Sequence, residues 1–248
     1  MKITGFILLM TIFSTAAEDI VISSGEWSPF ISPKLKHEGV YSHIVREAFA
    51  LDNMDVEYLY FPWIRTYKEV INDRVDASIL WTKNEQREGE VLFSDPIAPL
   101  LDVFFYRQDK FIDWQKMTDL KGLEIGVTAG YIYGDQFDRA VKDKVFTTSR
   151  ANTDRANFKR LLAGRIDAFP ITLDVALALL KDFTQGERNQ LIYSEKIIRK
   201  VDMYLIMNRK NPASYQRMQL FNSNLIKLKE SGRYDQYLSN HKNGLYQP

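Results

Sequence analysis

Short apolar runs alternate with amphipathic stretches along the whole 248-residue chain. "DIVISS" (19–24) is β-branched, reads as a strand and ends at Gly25, where the loop "GEWSPF" begins. In "SHIVREAFAL", Ile44, Val45, Ala48, Phe49 and Leu51 share one helical face, with Ser42 placed to cap it. "VEYLYF" (56–61), "DASILWT", "DVFFYRQ" (102–108), "IDAFPIT" and "DMYLIMNR" (202–209) read as further strands. "LEIGVTAGYIYGDQFDRAV" reads as strand, glycine turn and helix. The last helix carries Met218, Phe221, Leu225 and Leu228 on one face and stops at Gly232. Strands alternating with helices predict α/β architecture with largely parallel sheets.

One unit occurs twice. "YKEVINDRVDAS" (67–78) and "FKRLLAGRIDAF" (158–169) lie 91 residues apart. Each is an aromatic residue, a lysine, aliphatics, an Arg, a β-branched residue and Asp-Ala. Tyr67, Val70 and Ile71 form the apolar helix face of the first copy, and Phe158, Leu161 and Leu162 that of the second, with Gly164 ending the helix. A helix that delivers a strand to a sheet edge, present twice, implies two similar lobes. Ligands of open α/β sheets sit beyond the carboxyl ends of the strands, so two facing edges make a cleft.

Composition narrows the function classes. Basic and acidic residues number 33 and 32, so there is no excess of positive charge to neutralise phosphates, and a nucleic-acid partner is not expected. Lys2, the apolar run from Phe6 to Phe13 and Ser-Thr-Ala-Ala at 14–17 describe a cleaved secretory signal peptide over residues 1–17. No segment reaches the roughly 20 apolar residues of a membrane span. There is no cysteine, which excludes a lipid-anchoring cysteine, thiol catalysis and thiolate metal sites, and suits a chain exported to a bacterial periplasm. HExxH, GxSxG and P-loop motifs are absent, and the histidines are His37, His43 and His241.

From Asp19 to about His241 the chain resembles the periplasmic solute-binding proteins of family 3, the polar amino-acid type of ABC transporters. The landmarks are "GEWSPF", "FPWIR" (61–65), "RVDASILWTKNEQREGEVLFSDPI" (74–97), "LKGLEIGVTAG" (120–130), "LLAGRIDAF" (161–169) and "LKESGRYDQYL" (228–238), in this order and spacing. The segment Pro62-Trp63-Ile64-Arg65 resembles that of lone binding proteins without an evident transporter. The resemblance implies an α/β, two-lobed periplasmic-binding-protein fold of type II, with the ligand cleft between lobes. Residues 18–100 and 203–248 would form lobe 1 and 101–202 lobe 2, with closure on the ligand.

It also implies site residues. Arg87 stands six residues before the Phe of Phe93-Ser94-Asp95-Pro96, where the family's arginine grips a ligand carboxylate through a planar guanidinium. A solvated arginine among Lys83, Glu85, Glu88 and Glu90 is the alternative. Thr82 matches a hydroxyl that contacts the same carboxylate, Trp27 and Trp63 match aromatic cleft positions, and Trp81 is read equally as cleft wall or core. Phe30 is an aromatic residue of the same first loop. Arg65 adds charge to the cleft or pairs on the surface. Backbone donors of the turn carrying Tyr131 and Ile132 would serve lobe 2, as free N–H groups of a helix start do. Carboxylates for a ligand ammonium group would fall at Ser24 and Thr172, and neither is acidic, nor are Tyr41 and His43 where an Asp-x-Asp pair is often found. Asp174 could compensate through a shifted register. A buried ammonium without carboxylate partners is costly, so a carboxylated ligand lacking it is expected.

The expected function is capture of a small carboxylated solute, an amino acid or related organic acid, for ABC-type uptake. The expected partners are a small-molecule ligand and an ABC permease or a membrane sensor, with the chain a monomer. No cofactor, metal or catalysis is expected, although cyclohexadienyl dehydratases share this fold, and His43 is the one candidate base for such chemistry.

Overall fold

A computed structural model describes residues 18–247, so the signal peptide expected over residues 1–17 lies outside the described residues. The first part of the chain runs β1 (Glu18–Ser24), α1 (Val40–Ala50), β2 (Met54–Tyr60), α2 (Trp63–Ile71), β3 (Ala77–Trp81), α3 (Glu85–Glu90) and β4 (Val91–Phe93). Then β5 (Ala98–Arg107) leads to β6 (Glu124–Thr128), α4 (Asp135–Lys142), β7 (Thr147–Ala151), α5 (Asp154–Leu162), β8 (Ala168–Thr172), α6 (Leu173–Leu180) and α7 (Gln185–Arg188). Finally β9 (Leu191–Asn208) returns to α8 (Pro212–Glu230) and α9 (Arg233–Lys242).

The strand order is β2-β1-β3-β9-β5-β8-β6-β7, with β4 also on β9. Two parallel triplets, β2-β1-β3 and β7-β6-β8, flank a central antiparallel pair. The sheet is therefore mixed where the alternation predicted it largely parallel. β5 and β9 pair from Ala98 opposite Met203 to Arg107 opposite Leu191, while the end of β9 pairs β3 and β4. These two long strands connect the halves.

The repeated unit is reproduced residue for residue. α2 and α5, and β3 and β8, begin and end at the same 91-residue offset. In each copy the Asp of Asp-Ala holds the start of its parallel strand. Asp76 Oδ2 accepts from Val21 N at 2.9 Å, and Asp167 Oδ2 from Glu124 N at 2.9 Å. Their own N–H groups donate back to Val21 O at 2.9 Å and Glu124 O at 2.7 Å. The Asp is thus a register clamp, which explains its place in both copies without any ligand.

The apolar helix faces bury as patterned. Ile44, Val45, Ala48 and Phe49 of α1 pack with Phe221 and Leu225 of α8, and this core continues through Val103 and Phe105 of β5 to Phe158 and Leu161 of α5. Leu51 is exposed and lies just past the helix. Ser42 does not cap α1, because the helix starts earlier, at Gly39, and the hydroxyl donates to Glu38 O. Gly232, left-handed at φ 75°, ends the long helix and opens α9. No helix among the described residues is long and apolar enough to cross a membrane.

Candidate functional site

The strand ends of both triplets converge on a cavity of about 850 Å³. Arg87, Thr82, Trp27, Trp63, Tyr131, Ile132 and Thr172 all line it. Ser24 does not: it is buried, and its hydroxyl is turned to Gly25 O.

Arg87 is held from three directions. Asn84 caps α3 by accepting from Arg87 N at 2.8 Å, which fixes the backbone in the first helical turn. One guanidinium nitrogen donates to Thr82 O and Thr82 Oγ1, both at 2.9 Å. The guanidinium carbon stands 4.9 Å from the Trp81 ring centre and 5.8 Å from that of Tyr67. Among the described residues it makes no ion pair with a carboxylate. Burial pulls its pKa down, yet a guanidinium stays charged at neutral pH. A half-buried, oriented cation with donors to spare therefore faces the cavity.

Trp81 is both core and wall, buried yet lining the cavity, with Nε1 donating to Ser78 Oγ at 2.8 Å. The preceding Leu80 has φ 64°, a conformation that branched side chains rarely adopt, and the β3–β9 register shifts across it. This bulge sets the strand end under Arg87. Trp63 meets Trp81 edge-on at 5.5 Å. Its indole lies so close to Gly25 that a Cβ there would come within 2.3 Å of the ring, which explains the glycine before the Trp27 loop. Trp27 is pinned by bonds between its backbone and Ile31, and Phe30 packs edge-on against it at 5.3 Å from the core.

On the other side, Tyr131 and Ile132 are exposed at the turn before α4. The Tyr131 hydroxyl donates to Asp154 at 3.0 Å, and although the ring is exposed, partial desolvation of the hydroxyl together with that carboxylate raises the phenol's pKa well above its ordinary range. Thr172 donates to Asp102 Oδ1 at 2.8 Å, and Arg199 Nε donates to Asp102 Oδ2 at 2.7 Å. Arg199 also donates to the Ile132 carbonyl. Asp102 and Arg199 line the cavity, as do Lys83 and Tyr204, whose ring lies 4.4 Å from the Lys83 ammonium. None of these four is marked by a sequence motif. The signal that points to Asp102 is a charged residue among the apolar residues of β5; Arg199 has no such signal, because Glu195, Lys196, Lys200 and Asp202 lie around it in β9.

Other readings resolve differently. Arg65 pairs with Glu69 at 3.3 Å and does not line the cavity. Asp174 is not in the lining either. His43 lies away from it, its Nδ1 2.6 Å from Tyr246 Oη and its ring stacked on His37 at 4.2 Å. Burial and the neighbouring His37 lower its pKa to about 4. No group of His, Cys, Asp and Glu among the described residues could hold a metal ion.

Residues 20–243 match the family model of bacterial extracellular solute-binding proteins, family 3. No curated protein matches the chain. Similar solved structures include a histidine kinase sensor domain with similarity to periplasmic binding proteins, at TM-score 0.69 and 16% identity over 90% of this chain and 96% of that one. A mutant of ArgBP from T. maritima gives TM-score 0.65 and 18% identity over 91% and 95%. The substrate-binding domain 2 of GlnP from Lactococcus lactis, in an open conformation, gives 0.68 and 14% over 90% and 95%. These likenesses show the two-lobed type II binding-protein fold, and the family match spans nearly all of the described chain. The chain belongs to the bacterial extracellular solute-binding proteins of family 3 and is a ligand-binding protein.

Proposed function

We propose that the protein reversibly captures a small carboxylated solute in the periplasm, with Arg87 gripping the carboxylate, and delivers it to an ABC permease as a monomer. Lobe 1 comprises 18–100 and 203–248, lobe 2 comprises 101–202, and residues 1–17 are a removed signal peptide. The observation that supports this most is the Arg87 guanidinium, stacked on Trp81, anchored by Thr82 and without a carboxylate partner among the described residues. A charge desolvated this far needs an anionic partner, and a carboxylate matches its fork. Trp27, Trp63 and Tyr131 would enclose the rest of the solute.

Native mass spectrometry of the purified protein, followed by a thermal-shift screen of organic acids, amino acids and polyamines, tests this reading. A true ligand at about 100 times its Kd stabilises by about 2.7 kcal/mol. Stabilisation by polyamines alone would overturn it.

A second reading is favoured by the sensor-domain likeness: the loaded protein reports to a membrane sensor. Uptake of the labelled solute by cells lacking the gene separates the two, being lost for transport and kept for sensing.

A further inference from the structure

Thr172 occupies the place where the family resemblance implies an acid, and a carboxylate is nevertheless there. Asp102 stands directly opposite Thr172 in the β5–β8 register and opposite Arg199 in the β5–β9 register. Its side chain is 8% exposed, and both oxygens are engaged, one by Thr172 at 2.8 Å and one by Arg199 at 2.7 Å. Arg199 is tied a second time, to the Ile132 carbonyl, and its side chain packs 3.2 Å from where a Cβ on Gly134 would sit. All of these residues line the cavity. The acid and a cation are therefore both present on this side, and the cation belongs to the protein.

We propose that Arg199 is a built-in counter-ion that fills the second lobe's cation position, so that the cavity accepts carboxylates without an ammonium group and rejects amines and ordinary amino acids. The carboxylate half of this statement rests on the Arg87 reading above; the cation half rests on Asp102 alone. An ammonium entering here would meet a guanidinium before it met an acid. To bind Asp102 it would have to displace a tethered partner and leave Arg199 unpaired, which is costly in a desolvated site. The other lining carboxylates do not substitute. Glu26 and Asp135 are exposed, Asp202 is more open than Asp102, and Glu26 already accepts from Ser32 at 2.9 Å.

The test uses two probe sets against the wild type, Arg199→Met and the double variant Asp102→Asn/Arg199→Met. The first set is amines without a carboxylate, phenethylamine and putrescine. The second pairs L-phenylalanine with 3-phenylpropanoate and L-glutamate with glutarate. Binding is followed by thermal shift and ligand-observed NMR. The wild type is expected to ignore the amines, and Arg199→Met to gain at least about tenfold in amine affinity, with the gain lost in the double variant. Should Arg199→Met not fold, Arg199→Gln keeps a donor for the Ile132 carbonyl and takes its place. No gain in amine binding, or a gain that persists without Asp102, overturns the proposal. Arg87→Met run beside them reads the other half: unchanged carboxylate binding there rejects the Arg87 reading and leaves the amine result standing.

Discussion

Copy one of the repeated unit leaves its strand through Leu80, a left-handed residue at a register shift, and then turns into α3 and Arg87. Copy two leaves its strand through Thr172, in regular register with Asp102. Upstream of these points the two share one layout, from helix length to the Asp that clamps the neighbouring strand. Downstream they present opposite chemistry. One end offers a cation with no carboxylate partner among the described residues, and the other an acid already neutralised by Arg199. The scaffold is duplicated, and the ligand-facing difference is confined to the segment beyond each strand end.

The strongest way to break this comparison is through its cores. Phe158, fully buried against Phe105, Phe169 and Phe183, should cost about 3–5 kcal/mol as Phe158→Ala. Its counterpart Tyr67 is only half-buried and should cost about 2 kcal/mol as Tyr67→Ala. Denaturant unfolding of each variant checks the order. Tyr67→Ala should also weaken ligand binding, because its ring lies near Arg87, whereas Phe158→Ala should not.

The clamps come next. Asp76 accepts from both Val21 N and Arg217, the latter at 2.6 Å, while Asp167 has Glu124 N and a looser Lys110 at 3.7 Å. Asp76→Ala should therefore destabilise by about 2 kcal/mol and Asp167→Ala by about 1 kcal/mol, again by unfolding midpoints. Equal costs would mean that the closer Arg217 pair adds nothing beyond the looser Lys110 one.

Smaller still is the backbone position shared by Asp73 and Gly164, both left-handed at φ 58° and 66°. Gly164→Ala should cost about 1 kcal/mol, and Asp73→Gly should be close to neutral, the relief of the left-handed backbone offsetting the loss of the exposed hydrogen bond that Asp73 Oδ1 accepts from Asn211 Nδ2 at 2.9 Å. A costless Gly164→Ala or a costly Asp73→Gly in calorimetry would show that these turns are not equivalent.

The mildest difference concerns acid. His37, His43 and His241 all lie in the segments assigned to lobe 1. His43 faces His37, Glu47, Arg46, Arg233, Tyr237 and Tyr246, and its pKa is depressed to about 4, chiefly by burial. A depressed histidine stabilises the fold while neutral. That contribution is complete above its ordinary pKa near 6.5 and is lost as pH falls toward about 4. Hydrogen-exchange protection, corrected for the slower intrinsic exchange at low pH, should fall first in α1 and α9 on acidification; a uniform fall in both halves would contradict this.

Much of the molecule is legible in the chain. The helix faces of both copies follow from local periodicity, because helix chemistry is local, whereas Arg87, Trp27 and Trp63 are reached only through the resemblance of their short motifs to the family, and all three line the cavity. The hidden part depends on pairing across sequence. Asp102 and Arg199 lie 97 residues apart and meet only because β5 and β9 run antiparallel in one register. Asp102 reads as one charge in an apolar run and Arg199 as one charge among several in β9, and nothing local says which residue stands opposite. A motif can place an acid only along the chain, at Thr172, whereas the fold supplies it from the neighbouring strand. α6 escapes the pattern for a related reason: past Asp174 in its first turn, "LDVALALL" is apolar on every side and has no period to read.

The central claim is that Arg87 holds a carboxylate. Isothermal titration of the wild type and Arg87→Ala with the solute recovered by native mass spectrometry tests it most directly. Arg87→Ala should lose about 2–5 kcal/mol of binding, because the ligand's charge would be buried without a partner. An unchanged affinity would remove Arg87 from the site and contradict the account.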